Sequence, residues 1–199
     1  MYEAYGKGET IVYLQSPFGG INPGAYYAAG RLSNNNRVLI WDSPNVGQSG
    51  VAIKDVQSEW HLACEYLKGL LEALGEKAVH LVGCSGGGEL GLLFAHLYPE
   101  MVKSLAMYRP TDTTSDIEQE IIKARYFDIA EMADKHSMLK TIEYGENPSS
   151  VKWGYLSGWI AQCARKNREK ICEFDDKTFS RIMRQWGNGW EALRFIRLI

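Results

Sequence analysis

A Gly-x-Ser-x-Gly motif, Gly83-Cys84-Ser85-Gly86-Gly87, most constrains how this 199-residue chain can fold. It follows the apolar stretch Ala78–Val82, typical of a buried parallel strand, and it precedes Gly88–Leu97, where apolar residues recur at helical spacing. A strand that turns sharply into a helix needs small residues two positions before and after the centre of the turn, and both are glycine here. The motif predicts a strand–turn–helix centred on Ser85, the setting in which a serine acts as a nucleophile.

Glycine-rich turns between a strand and a helix also bind phosphate groups, which is the alternative interpretation. A dinucleotide-binding motif needs glycine where Cys84 and Ser85 stand, and no Gly-Lys-Ser/Thr follows as a P-loop requires. We therefore favour Ser85 as the nucleophile, with the backbone N–H of Gly86 and the positive end of the helix directed at the group it attacks. Cys84 is interpreted as a small buried thiol.

Strand and helix patterns alternate through the first half of the chain. Such alternation is typical of a mostly parallel sheet with helices on both faces, whose sites lie at the carboxyl ends of the strands. After Pro110 only helical patterns remain. The predicted strands are Thr10–Leu14, Val38–Trp41, Ala78–Val82 and Val102–Tyr108; the predicted helices are Gly24–Leu32, Val56–Leu74, Gly88–Leu97, Ser115–Tyr126, Asp128–Leu139, Val151–Arg165 and Asp176–Ile199.

Together with the serine motif, three further stretches resemble the α/β-hydrolase family, in its order and at its spacing over residues 5 to 109. Tyr5–Gln15 is similar to the family's opening hairpin and first central strand. Asn35–Ser49 resembles the next strand and the Asp-x-x-Gly-x-Gly-x-Ser loop after it, with Asn45 and Gly47 at the two glycine positions. Pro99–Arg109 is similar to the strand that follows the nucleophile helix.

The resemblance implies two domains: an α/β-hydrolase core over residues 1–110 and an inserted helical cap over residues 111–199 that covers the pocket. In the family, two more core strands follow the cap and carry the usual acid and histidine. No strand pattern follows the cap region here. We therefore expect the C-terminal core strands to be missing, either because the sequence is truncated or because the chain has lost catalysis.

The second oxyanion donor in the family comes from the loop after the first central strand, which usually reads His-Gly-x. This chain reads Gln15-Ser16-Pro17-Phe18. Because proline has no N–H, Pro17 cannot donate, and Phe18 is the predicted partner of Gly86. The side chains of Gln15 and Ser16 are alternative donors.

The family's acid and base follow the nucleophile in the order Asp or Glu, then His. His61, His80 and His96 lie in elements that do not match the family's position for the base. His136 follows the nucleophile but lies in the predicted cap, and we disfavour it. Asp112, just after a predicted strand, is a candidate for the acid, although a polar turn residue is the favoured interpretation.

Composition excludes several classes of partner. The net charge is −2 with mixed signs along the chain, so neither nucleic acid nor a membrane surface is expected. The four cysteines show no Cys-x-x-Cys spacing, which argues against disulfides and a zinc site. No basic leader and no long apolar run is present, so we expect a soluble, cytoplasmic protein without cofactor or metal.

These features favour a serine hydrolase acting on an ester, thioester, lactone or related acyl bond of a small apolar substrate. One alternative is a non-catalytic small-molecule binding protein on the same fold. Another is a chain that works as a homodimer or with a completing chain. Aromatic residues of the cap region line an apolar site or, as we favour for each one, pack the cap core: Trp153, Tyr155, Trp159, Trp186 and Trp190.

Overall fold

The computed structural model describes residues 1–15, 20–54, 56, 58–108, 116–146 and 174–192. These residues form two compact units: the first contains most of residues 1–108, and the second contains residues 116–146 and 174–192. Within these ranges, no helix combines the length and the apolar character needed to cross a membrane.

The first unit is built on a five-stranded sheet. The strands are β1 (Tyr2–Tyr5), β2 (Glu9–Leu14), β3 (Asn36–Trp41), β4 (Val79–Cys84) and β5 (Val102–Tyr108). Their spatial order is β1-β3-β2-β4-β5, with β1 antiparallel to β3 and all other neighbours parallel. In the centre of the sheet, Val12 lies opposite Leu39 on one side and Leu81 on the other.

Helices cover both faces of this sheet, as predicted. The helices of the first unit are α1 (Pro23–Leu32), α2 (Glu59–Ala73) and α3 (Gly86–Leu97), followed by a 3-10 turn (Pro99–Met101). On one face of the sheet, Ile11 and Val38 bury their side chains against Ala25 and Ala29 of α1. Burial of a large aliphatic side chain such as that of Val38 stabilises the folded state by roughly 1.5–3 kcal/mol. On the other face, α3 approaches so closely that a Cβ on Gly91 would lie 2.8 Å from Leu105 Cδ1.

The expected opening hairpin is wrong, because β1 pairs with β3 and not with β2. The turn between β1 and β2 passes beneath the start of β3. A Cβ on Gly6 would lie 2.3 Å from the Asn36 carbonyl oxygen, and one on Gly8 would lie 2.4 Å from that of Asn35. Both glycines also have positive φ, which glycine adopts without strain. Glycine is therefore needed where the chain passes the start of β3, because a side chain would clash there.

The second unit contains three helices within its described residues: α4 (Asp116–His136), α5 (Met138–Glu146) and α6 (Asp176–Ala192). The predicted interruption between residues 126 and 128 is wrong. Residue 127 lies within the continuous helix α4, and Gly187 of α6 packs against it, with its Cβ position 2.9 Å from Phe127 Cε2.

The helix breaks instead at Ser137, whose φ is 140°. Its hydroxyl accepts the N–H of Lys140 at 3.3 Å and so caps α5. Trp186 is 3 % exposed, which agrees with packing inside this unit. The predicted helix over Val151–Arg165, with Trp153, Tyr155 and Trp159, lies outside the described residues.

Candidate functional site

The Gly-x-Ser-x-Gly motif forms a sharp turn between β4 and α3. Ser85 has φ 51° and ψ −127°, outside the conformations that side chains other than glycine normally adopt. Such a conformation costs about 1–3 kcal/mol and persists only where the surroundings impose it. Here the Ser85 N–H donates to the Tyr108 carbonyl at 2.8 Å, and the Ser85 carbonyl accepts the N–H of Gly88 at 2.7 Å. The backbone of Ser85 is therefore fixed on both sides.

The structure explains why the flanking residues are glycine. A Cβ on Gly83 would lie 2.3 Å from the carbonyl oxygen of Gly87. A Cβ on Gly87 would lie 2.1 Å from the carbonyl oxygen of Leu14, at the end of β2. No side chain fits at either position. The second contact also presses the start of α3 directly against the start of the loop after β2.

The turn presents backbone donors beside Ser85. Helix α3 begins at Gly86, two residues earlier than predicted, and the first N–H groups of a helix have no acceptor within it. The Ser85 side chain is half-buried and makes no capping bond to this helix. The Gly86 N–H and the positive end of α3 lie next to the Ser85 hydroxyl. They are therefore suitably placed to stabilise an oxyanion that forms when this hydroxyl attacks a carbonyl group.

The loop after β2 is described only at its two ends. Ser16, Pro17 and Phe18 lie outside the described residues, so the predicted donor there stays a prediction. The Gln15 side chain accepts a hydrogen bond from Asn22 Nδ2 at 2.7 Å and donates to the Trp41 carbonyl at 3.4 Å. Its amide, predicted as an alternative oxyanion donor, is engaged in holding the two ends of this loop together.

In the loop after β3, the two residues at the family's glycine positions both have a left-handed backbone conformation. Asn45 has φ 64° and Gly47 has φ 55°. Asparagine tolerates this region better than most residues. Its side chain also bonds the Ala52 backbone twice, donating to the carbonyl and accepting the N–H, each at 2.8 Å. These two bonds stabilise the loop with asparagine in place of glycine.

The Asp42 carboxylate accepts hydrogen bonds from both the loop after β2 and the loop after β3. Asp42 directly follows β3, is 3 % exposed, and accepts the N–H of Ile21 at 2.6 Å and the N–H of Gln48 at 2.9 Å, one on each carboxylate oxygen. A Cβ on Gly47 would lie 2.5 Å from the carboxylate, so the backbone closes tightly around it. The sequence contains Asp42 as the first residue of the loop motif, but its role depends on a contact across 21 residues that no local pattern shows.

The histidines of the sheet and of α3 lie far from Ser85. His80, at the amino end of β4, bonds Ser104 Oγ at 2.8 Å and Glu9 Oε2 at 3.3 Å, and five residues of strand, about 16 Å, separate it from Ser85. His96 lies ten residues into α3, about 15 Å along the helix axis from Gly86.

The remaining acid and base candidates are placed as follows. His61 lies in the first turn of α2 and is half-buried, and this burial lowers its pKa. His136 is the last residue of α4 in the second unit. Asp112 lies outside the described residues. No cluster of three or more His, Cys, Asp or Glu residues suitable for a metal ion occurs within the described ranges.

A cavity of about 570 Å³ lies in the first unit, away from the serine turn. Tyr2, Trp41 and Tyr66 contribute aromatic walls at the β1–β3 edge of the sheet. At its rim, Lys54 Nζ lies 3.1 Å from the carboxylate of Glu65. Ser85 and its neighbouring glycines do not line this cavity, whereas Asp42 and Ser49 of the loop after β3 do.

A strained serine turn between a parallel strand and a helix, on a sheet of this order, defines the class of α/β-hydrolase-fold proteins. A family model described as alpha/beta hydrolase fold matches residues 26–134, which is more than half of the chain. The chain belongs to this family, as the sequence resemblance predicted.

Two curated relatives are similar over part of the chain. A 2-hydroxy-6-oxo-6-phenylhexa-2,4-dienoate hydrolase from Comamonas testosteroni is 34% identical over 116 residues, which cover 55% of this chain and 39% of that protein. A 2-hydroxy-6-oxononadienedioate/2-hydroxy-6-oxononatrienedioate hydrolase from Paraburkholderia phymatum is 37% identical over 114 residues, covering 53% of this chain and 38% of that protein. The chain thus matches about two fifths of the length of these relatives.

Solved structures share the fold at low sequence identity. MGS-M2, an alpha/beta hydrolase enzyme from a Medee basin deep-sea metagenome library, is 22% identical with a TM-score of 0.60, covering 96% of this chain and 68% of that one. MenH from S. aureus is 15% identical with a TM-score of 0.64, covering 99% of this chain and 74% of that one. These likenesses support the fold assignment.

Proposed function

We propose that the protein is a serine hydrolase in which Ser85 attacks an acyl carbon of an ester, thioester, lactone or related compound. The observation that carries this proposal is the fixed, strained backbone of Ser85 at the start of α3. As Ser85 Oγ bonds to the carbonyl carbon, its proton passes to a general base and the carbonyl oxygen becomes negatively charged. The N–H of Gly86 stabilises that charge, together with a second donor at Phe18 in the loop after β2.

The base in this proposal is a histidine supplied by polypeptide beyond the present sequence, in a longer chain or in a completing partner. The support is negative: within the first unit, His80 and His96 are distant from Ser85. Asp112 stays the candidate for the acid within this sequence. A Ser–His pair is needed because a serine hydroxyl is a weak nucleophile without a base.

For the substrate, we propose a small apolar compound with an electrophilic carbonyl carbon. The names of both relatives contain an oxo group, which is consistent with the electrophilic carbonyl carbon but not with the apolar character. We propose that the second unit is the helical cap that the family resemblance implies. We place the protein in the cytoplasm, in keeping with the free thiols of Cys64 and Cys84.

The test is labelling by a fluorophosphonate probe, which reacts with activated serines. In the full natural chain we expect modification at Ser85, and complete loss of labelling and of p-nitrophenyl acetate turnover in Ser85→Ala. Ser104→Ala is the control, since Ser104 lies near the amino end of β5 and bonds His80. Turnover that survives in Ser85→Ala at the wild-type rate would refute the nucleophile assignment.

A second candidate function is non-catalytic binding of a small molecule. It is favoured by one observation: neither His80 nor His96 is within reach of Ser85. This alternative predicts an unlabelled Ser85 in the full natural chain together with ligand-dependent stabilisation against heat. Labelling at Ser85 contradicts it.

A further inference from the structure

We propose that the cavity at the β1–β3 edge of the first unit binds a small aromatic compound that carries a positively charged amino group. This site goes beyond the proposed hydrolase function and does not depend on it, because Ser85 does not line the cavity. The ring of the ligand lies against the aromatic walls of the cavity. Its ammonium group contacts the ring of Tyr66 and the carboxylate of Glu65, both on α2.

Two glycines leave room for a ligand in this cavity. Its volume of about 570 Å³ falls within the range of about 300–1,000 Å³ that is typical of small-molecule sites. Gly50, in the loop after β3, and Gly69, within α2, both line it, and neither has a foreign atom within 4 Å of its Cβ position. Glycine weakens a helix relative to alanine. Helix α2 therefore carries a destabilising residue where a side chain would take up space beside the cavity.

The walls of the cavity offer aromatic faces to a ligand. Tyr2 of β1 lies opposite Trp41 of β3, so both side chains project from the same face of the sheet, and Tyr66 comes from α2. Tyr2 is 42 % exposed and Tyr66 is 41 % exposed. Single exposed aromatic residues are common, but three around one cavity form an apolar surface that a planar ligand would remove from water.

One of these rings already contacts a cation. Lys54 Nζ lies 5.0 Å from the centre of the Tyr66 ring and 3.1 Å from the Glu65 carboxylate. An ammonium group at this distance is attracted by the negative face of the ring. The Lys54 side chain is flexible and about half exposed, so it can turn into solvent. The ammonium group of the ligand then takes its place on Tyr66 and Glu65.

The charges around the cavity favour a cation over an anion. The charged groups that line it are the carboxylates of Asp42 and Glu65, the ammonium group of Lys54 and the Met1 amino group, which donates to the Ser49 hydroxyl. When Lys54 turns into solvent, two carboxylates and one amino group remain. An anionic group placed on Tyr66 would lie beside the Glu65 carboxylate, which repels it.

The experiment measures binding of three probes of similar shape to the full natural chain by isothermal titration calorimetry. The probes are 2-phenylethylamine, a cation at neutral pH, neutral 2-phenylethanol and anionic 3-phenylpropanoate. We expect the amine to bind about tenfold more tightly than the other two, because only the amine can use Tyr66 and Glu65 together. An alcohol or carboxylate that binds as tightly overturns the ligand class, and no binding of the amine at about 10 mM overturns the site.

Gly69→Leu and Gly30→Leu are a matched pair that locates the bound amine. Both glycines lie in helices with open space at the Cβ position, and leucine favours a helix more than glycine does, so both variants should fold. Gly69→Leu should weaken binding of the amine about tenfold or more, since leucine occupies part of the cavity. Gly30 does not line the cavity, so Gly30→Leu should bind like wild type. Unchanged binding in Gly69→Leu would place the amine elsewhere and overturn the inference.

Two charge variants test the contacts assigned to the ammonium group. Glu65→Gln should weaken binding of the amine about 2- to 5-fold and leave that of phenylethanol unchanged, because the amide keeps the shape without the charge. Lys54→Met should strengthen binding of the amine about twofold or more, since the competing ammonium group is removed. Both side chains are about half exposed, so both variants should fold. Equal affinity in Glu65→Gln, or weaker binding in Lys54→Met, would overturn this arrangement.

Discussion

Single methyl groups decide which residues the serine turn accepts. We expect Gly87→Ala to lower the free energy of unfolding by about 1–3 kcal/mol, since the added Cβ would lie 2.1 Å from the Leu14 carbonyl oxygen and the backbone must shift. The same shift should abolish labelling of Ser85. Urea denaturation and fluorophosphonate labelling of the purified variant measure the two effects.

Gly88→Ala is the control for that substitution, one residue further along the same helix. Its Cβ would meet the Gly83 carbonyl oxygen and Met107 Cε at 3.4 Å, which is ordinary contact. Alanine also favours the helix over glycine by up to about 1 kcal/mol. We expect Gly88→Ala to be as stable as wild type or more so, and equal loss of stability in both variants would show that the contact with Leu14 is not decisive.

Residue-level prediction succeeded where the constraint is local. The glycines at positions 83 and 87 follow from the turn alone. Asp42 differs, because its partner Ile21 is brought to it by the pairing of β2 with β3. Its burial and its two hydrogen bonds become visible only in the folded chain.

At the scale of helices, two glycines with open space around them should respond in opposite ways to alanine. Neither Gly30, near the end of α1, nor Gly75, just after α2, has a foreign atom within 4 Å of its Cβ position. Gly30→Ala should raise the free energy of unfolding by about 0.5–1 kcal/mol, because alanine loses less backbone entropy in a helix. Thermal or urea denaturation measures the change.

Gly75→Ala should instead destabilise the protein by about 1 kcal/mol, since Gly75 has φ 75° and ends α2 in a left-handed conformation. The Gly75 N–H donates to the Glu72 carbonyl at 3.0 Å and the Glu76 N–H donates to that of Leu71 at 2.9 Å, which holds this conformation. Stabilisation by both alanines would mean that helix propensity alone governs these positions.

The order of elements could be predicted from sequence, but the partners of two of them could not. Alternating apolar strands and amphipathic helices identified the parallel sheet, because that pattern is local. For β1 to pair with β3, the chain must pass the start of β3 closely at Gly6. The spacing of residues 5–15 resembles that of a hairpin and does not predict this pairing. Likewise, α4 is continuous through residue 127, where Gly187 packs against it, and it ends just before Ser137, which caps the next helix.

At the scale of the whole molecule, the two ends of the sheet differ in chemistry. The carboxyl end carries Ser85, buried glycine contacts and the buried Asp42 carboxylate. The amino end carries a solvent-accessible polar cluster of Glu9, His80, Lys103 and Ser104, which connects β2, β4 and β5. The candidate site therefore lies in closely packed, hydrogen-bonded backbone, and the opposite end carries electrostatic contacts centred on the Glu9 carboxyl.

The amino-end cluster predicts an acid-sensitive contribution to global stability. Hydrogen bonds from Lys103 and then from His80 hold the pKa of Glu9 below its usual value of 4.5. A carboxyl group whose pKa is lower in the folded state stabilises that state above its unfolded pKa, and this contribution disappears as pH falls through the lowered folded value. Glu9→Gln should therefore lower the thermal unfolding midpoint near neutral pH.

The difference between wild type and Glu9→Gln should shrink as the pH is lowered from about 5 to about 3, because the wild-type carboxyl then becomes neutral as well. Thermal unfolding followed by circular dichroism across this range measures both curves. Glu100→Gln, an exposed carboxyl in the 3-10 turn, is the control for removing one negative charge without these contacts. A Glu9→Gln curve that stays parallel to wild type down to pH 3 would show that this cluster does not connect protonation to folding.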